Sequence, residues 1–275
     1  MSGRLPAPLA AALRSAGLAA SVKAAEPVPW ATDAAVYRVD DAEGRAWAVR
    51  LRPRERLPDF ERERDAMDRA GRGGVPVAQV RAVATVGAWS YMVAAWAPGV
   101  SAAEALARVP EDAGALGSAL GRTQARLHRC PPPAAAARWL VPGDGIEARL
   151  LAAATAGANR PSLLHLDFHL HNVLWDGGRV GAVLDWTNAG AGDSRLDVAR
   201  TRCLFAVAAL VAGVSREAME PVEHAWRAAY EAEAGALPDM QPALAWAAAR
   251  TARDLATKLD PRLVARLPEE LGRPW

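Results

Sequence analysis

The apolar positions split the chain into a strand-like first third and a helical remainder. Val36-Tyr37-Arg38-Val39 alternates, Asp40 to Gly44 supplies a turn, and Trp47-Ala48-Val49-Arg50-Leu51 resumes the strand, which is a hairpin signature. A helix start follows at Pro58-Asp59 and leads into the charged run FERERDAMDRA. There Phe60, Met67 and Ala70 make a thin apolar stripe, and Gly73-Gly74 ends the helix. Val77 to Val86 and Tyr91 to Ala95 predict two more strands around a turn at Gly87. Ahead of these, Leu9, Leu13 and Leu18 recur at roughly helical spacing. The apolar run there is short, with Pro8 before it and Arg14 and Ser15 after it, so a short amphipathic helix is expected rather than a signal peptide.

Beyond Ala95 the pattern changes. Pro98-Gly99 breaks the chain, and Leu106, Leu116, Leu120 and Leu127 then mark helices that end before Pro131-Pro132-Pro133. A break at Pro142 to Gly145 precedes another helix through Ala154. From Pro161 to Asp193 short apolar runs are separated by polar residues and glycines; from Leu196 onward helices dominate, with breaks near Gly213, Gly235 to Pro238 and Pro261. The expected class is α+β: a small antiparallel sheet lobe over residues 1–95, a hinge near residues 95–99, and a larger helical lobe over residues 96–275. A nucleotide is expected in the cleft between such lobes.

Composition narrows the partners. The 275 residues carry a formal net charge of +2, which gives no reason to expect nucleic acid. Of the 33 basic residues only Lys23 and Lys258 are lysines, a bias of composition rather than an anion-binding signal. Cys130 and Cys203 are far apart and in no metal spacing, so two free thiols in a reduced, cytoplasmic setting are expected. No stretch approaches the roughly 20 apolar residues of a membrane span, so no membrane partner is expected.

The densest polar cluster is His165-Leu166-Asp167-Phe168-His169-Leu170-His171-Asn172. Thirteen residues after Asn172 stands Asp185, and Asp176-Gly177-Gly178 makes a tight turn between two short apolar strands, Val173 to Trp175 and Val180 to Leu184. The hairpin brings Asn172 and Asp185 towards one end. An amide oxygen and a carboxylate converging there suit a hard cation such as Mg²⁺. Asp167, just before the hairpin, is placed to orient a substrate hydroxyl and accept its proton, which are the parts phosphoryl transfer needs.

These residues resemble a known family. HLDFHLHN is similar to the H-G-D-x-H-x-x-N catalytic loop of aminoglycoside phosphotransferase-like kinases, distant relatives of protein kinases with a two-lobe fold. VLDWTNAGAGDSRLDVAR resembles that family's metal-binding segment. The resemblance implies Asp167 as the catalytic carboxylate, Asn172 and Asp185 as Mg²⁺ ligands, and His169 as a structural member of the loop. It implies that Asp193 and Asp197 brace the loop and start the next helix. It further implies Arg50 as the strand cation on the ATP phosphates, Glu63 as its helix partner, and the backbone near Ala95 and Ala97 as the adenine reader. Leu127-His128 fits the family's helix ending in Leu-His. The sequence departs from the pattern in having Arg50 for lysine, no glycines in the loop from Trp30 to Ala35, and Leu166, Leu170 and His171 for the loop's Gly and Pro.

The implied activity is ATP- and Mg²⁺-dependent transfer of the γ-phosphate to a hydroxyl of a small molecule, an antibiotic or a metabolite. Two other readings stand beside it. One is a kinase-like protein that binds ligand without turnover. The other is a zinc hydrolase, because His165, Asp167, His169 and His171 alternate and would share one face of a strand. Trp226, Tyr230 and Trp246 are read either as lining an acceptor pocket or as core, and His128 and His224 as structural.

Overall fold

The computed structural model describes residues 5–29, 34–157, 161–211, 216–256 and 260–266. Residues 30–33 of the glycine-poor loop and the break near Gly213 lie outside them. The chain divides into two compact units, one of Met1–Asp68 with Val77–Ala97 and one of Arg69–Pro76 with Pro98–Trp275.

The first unit begins with helix α1 (Ala7–Ser15). Strands β1 (Val22–Pro27), β2 (Ala35–Asp41) and β3 (Ala46–Pro53), helix α2 (Leu57–Arg72), and strands β4 (Val80–Val86) and β5 (Trp89–Ala95) follow. The strands pair antiparallel in the order β1-β2-β3-β5-β4. At the β2–β3 turn the Asp41 carboxylate accepts from the amides of Glu43 and Arg45 and from the Trp47 indole, which fixes the hairpin register. Along β3 the period of two turns Trp47, Val49 and Leu51 into a core with Leu9, Leu13 and Leu18, so the expected N-terminal helix packs on the sheet. Arg50 and Arg52 take the opposite face. Strand β1 was not foreseen: its sequence lacks alternation, and it is a largely exposed edge.

The second unit contains strand β6 (Val100–Ser101), helices α3 (Ala102–Arg108), α4 (Ala113–His128) and α5 (Gly145–Thr155), and strands β7 (Ser162–Leu164), β8 (Val173–Trp175), β9 (Val180–Val183) and β10 (Gly190–Gly192). Helices α6 (Ser194–Val211), α7 (Arg216–Ala234), α8 (Met240–Leu255) and α9 (Pro261–Val264) complete it. Helices α4 and α7 pack closely because Gly117 and Gly121 lie on one face of α4. A Cβ at Gly121 would stand 2.2 Å from the Trp226 carbonyl, and one at Gly117 would stand 2.3 Å from that of Val222. Two small sheets set the polar loop: β7 with β10, and β6-β8-β9. No helix of the described residues is long and apolar enough to cross a membrane.

Candidate active site

The loop between β7 and β8 is held from below by a buried carboxylate. Asp197, in the first turn of α6, is fully buried and accepts from the amide of His165 at 3.0 Å and from that of Leu166 at 2.6 Å. His128 Nε2 lies 2.9 Å from the same carboxylate, and the Tyr230 hydroxyl sits 2.7 Å from the other ring nitrogen. Burial raises the Asp197 carboxyl, but the hydrogen bond and charge of His128 and the loop amides outweigh it and hold the group ionised. Serving two consecutive amides goes with a left-handed backbone at Leu166, whose φ is 62°, where the related loops carry glycine. Asp193 caps α6, accepting from the Arg195 amide at 2.9 Å and pairing with its guanidinium. Both trailing acidic residues thus take the bracing positions expected of them.

His165 is fully buried. Its Nδ1 accepts from the Asp167 amide at 3.2 Å, so Nε2 carries the hydrogen and donates to the Leu184 carbonyl at 3.0 Å. Burial pushes its pKa down, in agreement with that neutral tautomer. The imidazole therefore ties the start of the loop to the strand end just before Asp185.

Asp167 keeps 23% of its side chain exposed. Burial raises its carboxyl, but His169, whose Nε2 lies 3.7 Å away, and the charge of Arg200 bring it down to about 2. The amide nitrogen of Asn172 lies 3.0 Å from the Asp167 carbonyl and 3.1 Å from its Oδ2, with His169 Nε2 also at 3.1 Å. Nδ2 thus serves the loop, while the amide oxygen has no hydrogen-bond partner among the described residues. The Leu184 amide donates to the Asn172 carbonyl at 2.7 Å, which places Asp185 one residue beyond the partner of Asn172. Asp185 is exposed, with φ 55°; its Oδ1 accepts from the Thr187 hydroxyl at 2.7 Å. The structure brings Asp167, Asn172 and Asp185 into one neighbourhood.

In the first unit, Arg50 Nη1 donates to Glu63, which is 1% exposed. Arg52 holds the other carboxylate oxygen at 2.7 Å, and both guanidinium groups lie over Phe60. Arg52 was not singled out from the sequence, although its position two residues from Arg50 is the signal for a shared face. The Ala95 amide donates to the Gln79 carbonyl at 2.9 Å, so it is occupied within the unit. The other residue missed is Arg200, nearly fully buried, over the Trp139 ring at 4.2 Å and bonded to Thr251.

The zinc reading fails on geometry. Residues 165–172 form a bend and turn rather than a strand, so the period-two face does not exist. Both ring nitrogens of His165 are engaged with the main chain. Among the described residues no group of three or more His, Cys, Asp or Glu side chains is arranged to hold a metal ion. Trp226, Tyr230 and Trp246 are buried, the first two bonded to Gln124 and His128, and belong to the core. His224 lies exposed on α7.

A sheet unit with a buried Arg–Glu pair, and a helical unit whose Asp–Asn loop closes on a hairpin ending in Asp, are the features of a kinase-like phosphotransferase. The sequence model of the phosphotransferase enzyme family (APH) matches residues 24–157 and 141–246, and the chain belongs to that family. Over 37 residues it is 54% identical to hygromycin-B 4-O-kinase of Escherichia coli, a stretch of 14% of this chain and 11% of that enzyme. The chain thus spans about a tenth of the curated relative it matches. Among solved structures, aminoglycoside phosphotransferase APH(4)-Ia superposes with a TM-score of 0.66 at 15% identity, over 96% of this chain and 97% of that one. APH(3'')-Id from Streptomyces rimosus gives 0.61 at 20% identity, over 97% of each chain. Macrolide 2'-phosphotransferase MphH from Brachybacterium faecium gives 0.59 at 16% identity, over 96% and 99%. The fold is that of this family of kinases.

Proposed function

We propose that this chain moves the γ-phosphoryl group of ATP to a hydroxyl of a small molecule, an antibiotic of the kind its relatives act on being the first candidate. The observation that carries the reading is the split use of Asn172: its amide nitrogen fixes Asp167, its amide oxygen has no hydrogen-bond partner among the described residues, and its main-chain carbonyl holds the residue just before Asp185. Asn172 Oδ1 and the Asp185 carboxylate are hard oxygen donors, fewer than a self-sufficient protein cage needs, which suits Mg²⁺ shared with substrate phosphates. When bound, the ion supplies neutralisation of phosphate charge.

In this reading Arg50 contacts the phosphates, and Glu63 with Arg52 hold its guanidinium in place. The Ala97 amide and the Ala95 carbonyl would read adenine; the Ala95 amide already serves Gln79. Asp167 accepts a hydrogen bond from the acceptor hydroxyl and aligns its oxygen with phosphorus. As that bond forms, the bond from phosphorus to the ADP oxygen breaks, and the hydroxyl proton leaves through Asp167. With its carboxyl held at about 2, Asp167 acts chiefly by orientation.

APH(4)-Ia has been captured in a ternary complex with AMP-PNP and hygromycin B. In the present chain several carboxylates beyond α6 are already matched by arginines, Glu223 with Arg202, Glu231 with Arg227 and Asp254 with Arg200. This favours an acceptor that does not depend on an acidic wall. The test is a panel of hydroxyl-bearing compounds, with hygromycin B, a second aminoglycoside, a macrolide, a sugar and an amino alcohol. The expected result is ADP release stimulated by at least one compound, with a singly phosphorylated product by mass spectrometry. Nucleotide-dependent stabilisation with no phosphorylated product from any of them supports binding without turnover instead.

A further inference from the structure

Away from Asp167, Asn172 and Asp185, a cavity of about 540 Å³ opens on the second unit, and every residue lining it belongs to that unit. Its charged wall comes from two elements. Arg122 and Arg126 stand four residues apart on α4 and so share one face of the helix. Asp176 and Arg179 come from the turn between β8 and β9. Pro76 and Pro98, the residues of this unit at two of its three chain crossings to the first, supply apolar lining.

The charges are unequally used. Arg179 Nε donates to Asp176 Oδ2 at 2.8 Å, and Arg126 Nη1 donates to the Gly74 carbonyl at 3.0 Å, a neutral partner. Arg122 is exposed and has no hydrogen-bond or ion-pair partner among the described residues. Three guanidinium groups against one carboxylate leave two positive charges on one side of a roomy cavity. A phosphate monoester carries about −1.5 to −2 charges near neutral pH, and guanidinium groups bind it through paired hydrogen bonds. The volume suits a small organic ligand rather than a bare ion, since such sites run to roughly 300–1,000 Å³. The prolines, with Ala119 and Val180, offer its carbon body an apolar surface.

We propose that this cavity is a second ligand site, taking a small organic phosphate monoester with its phosphate on Arg122, Arg126 and Arg179 and its body against Pro76 and Pro98. The site does not depend on the kinase reading, because none of its residues has a role there.

The probe is phenyl phosphate, titrated calorimetrically into the full chain saturated with MgADP. Wild type is expected to bind it, and Arg122→Glu to weaken binding by at least about tenfold through loss and reversal of one charge-assisted contact. Asp167→Asn is expected to bind as wild type does, which separates this cavity from the catalytic loop. Benzoate, with one negative charge, is expected to bind more weakly than phenyl phosphate. Because Arg122 is exposed, its variant should unfold at the wild-type denaturant midpoint, and that is checked alongside. No binding by wild type, unchanged affinity in Arg122→Glu, or benzoate binding as tightly would each overturn the proposal.

Discussion

Two neighbouring amides, of His165 and Leu166, point at the single carboxylate of Asp197, and Leu166 stands at φ 62° as they do so. A left-handed conformation costs a non-glycine residue about 1–2 kcal/mol. Glycine at this place would remove that strain, but Leu166 is also fully buried, and deleting a buried leucine side chain costs about 2–5 kcal/mol. Burial outweighs strain. Leu166→Gly is therefore expected to lose about 1–3 kcal/mol in urea unfolding with an unchanged slope. A gain in stability would mean that strain, not packing, dominates at this position.

At the scale of elements, α4 and α7 meet across Gly117 and Gly121. Helix propensity alone predicts that Gly121→Ala stabilises by about 1 kcal/mol. The structure predicts the reverse sign, because the new Cβ would lie 2.2 Å from the Trp226 main-chain oxygen and the helices must separate. A lowered melting temperature for Gly121→Ala, with Gly114→Ala at an open position neutral or raised, checks this.

The same scale shows where the sequence was readable. The β2–β3 and β8–β9 hairpins were legible because alternation and turn residues are local signals. Strands β7 and β10 are three residues each and pair across residues 165–189, so nothing local marks them. Alternation also misled: the His165 to His171 spacing imitates a strand face, yet the backbone turns there and only the tertiary contacts to Asp197 and Leu184 reveal it. Arg52 was legible in principle from its parity with Arg50. Arg200 was not, since its burial over Trp139 depends on α6, α8 and the segment before α5 coming together.

For the whole molecule, stability and activity respond to different ionisable groups. The folded pKa of His165 is depressed below its unfolded value near 6.5, so the unfolded chain binds the additional proton as pH falls. Its neutral form is retained without penalty above about pH 6.5, and stability declines below that, by up to about 1.4 kcal/mol per pH unit for one such group. Asp167, depressed to about 2, adds stability that persists above about pH 4 and is lost only in stronger acid. Denaturant midpoints are thus expected to be flat from about pH 8 to 7 and to drop by about pH 5.5, with a shallower drop in His165→Asn. A profile as steep in that variant as in wild type would show that other groups set the acid sensitivity.

In the proposed function Asp167 serves the acceptor rather than the nucleotide. The most direct measurement compares Asp167→Asn with wild type for MgATP affinity by calorimetry and for phosphoryl transfer to an acceptor found in the panel. Transfer is expected to fall by about 10²–10⁴-fold, with nucleotide affinity changed by less than about threefold. Near wild-type transfer, or loss of MgATP binding in step with transfer, would contradict it.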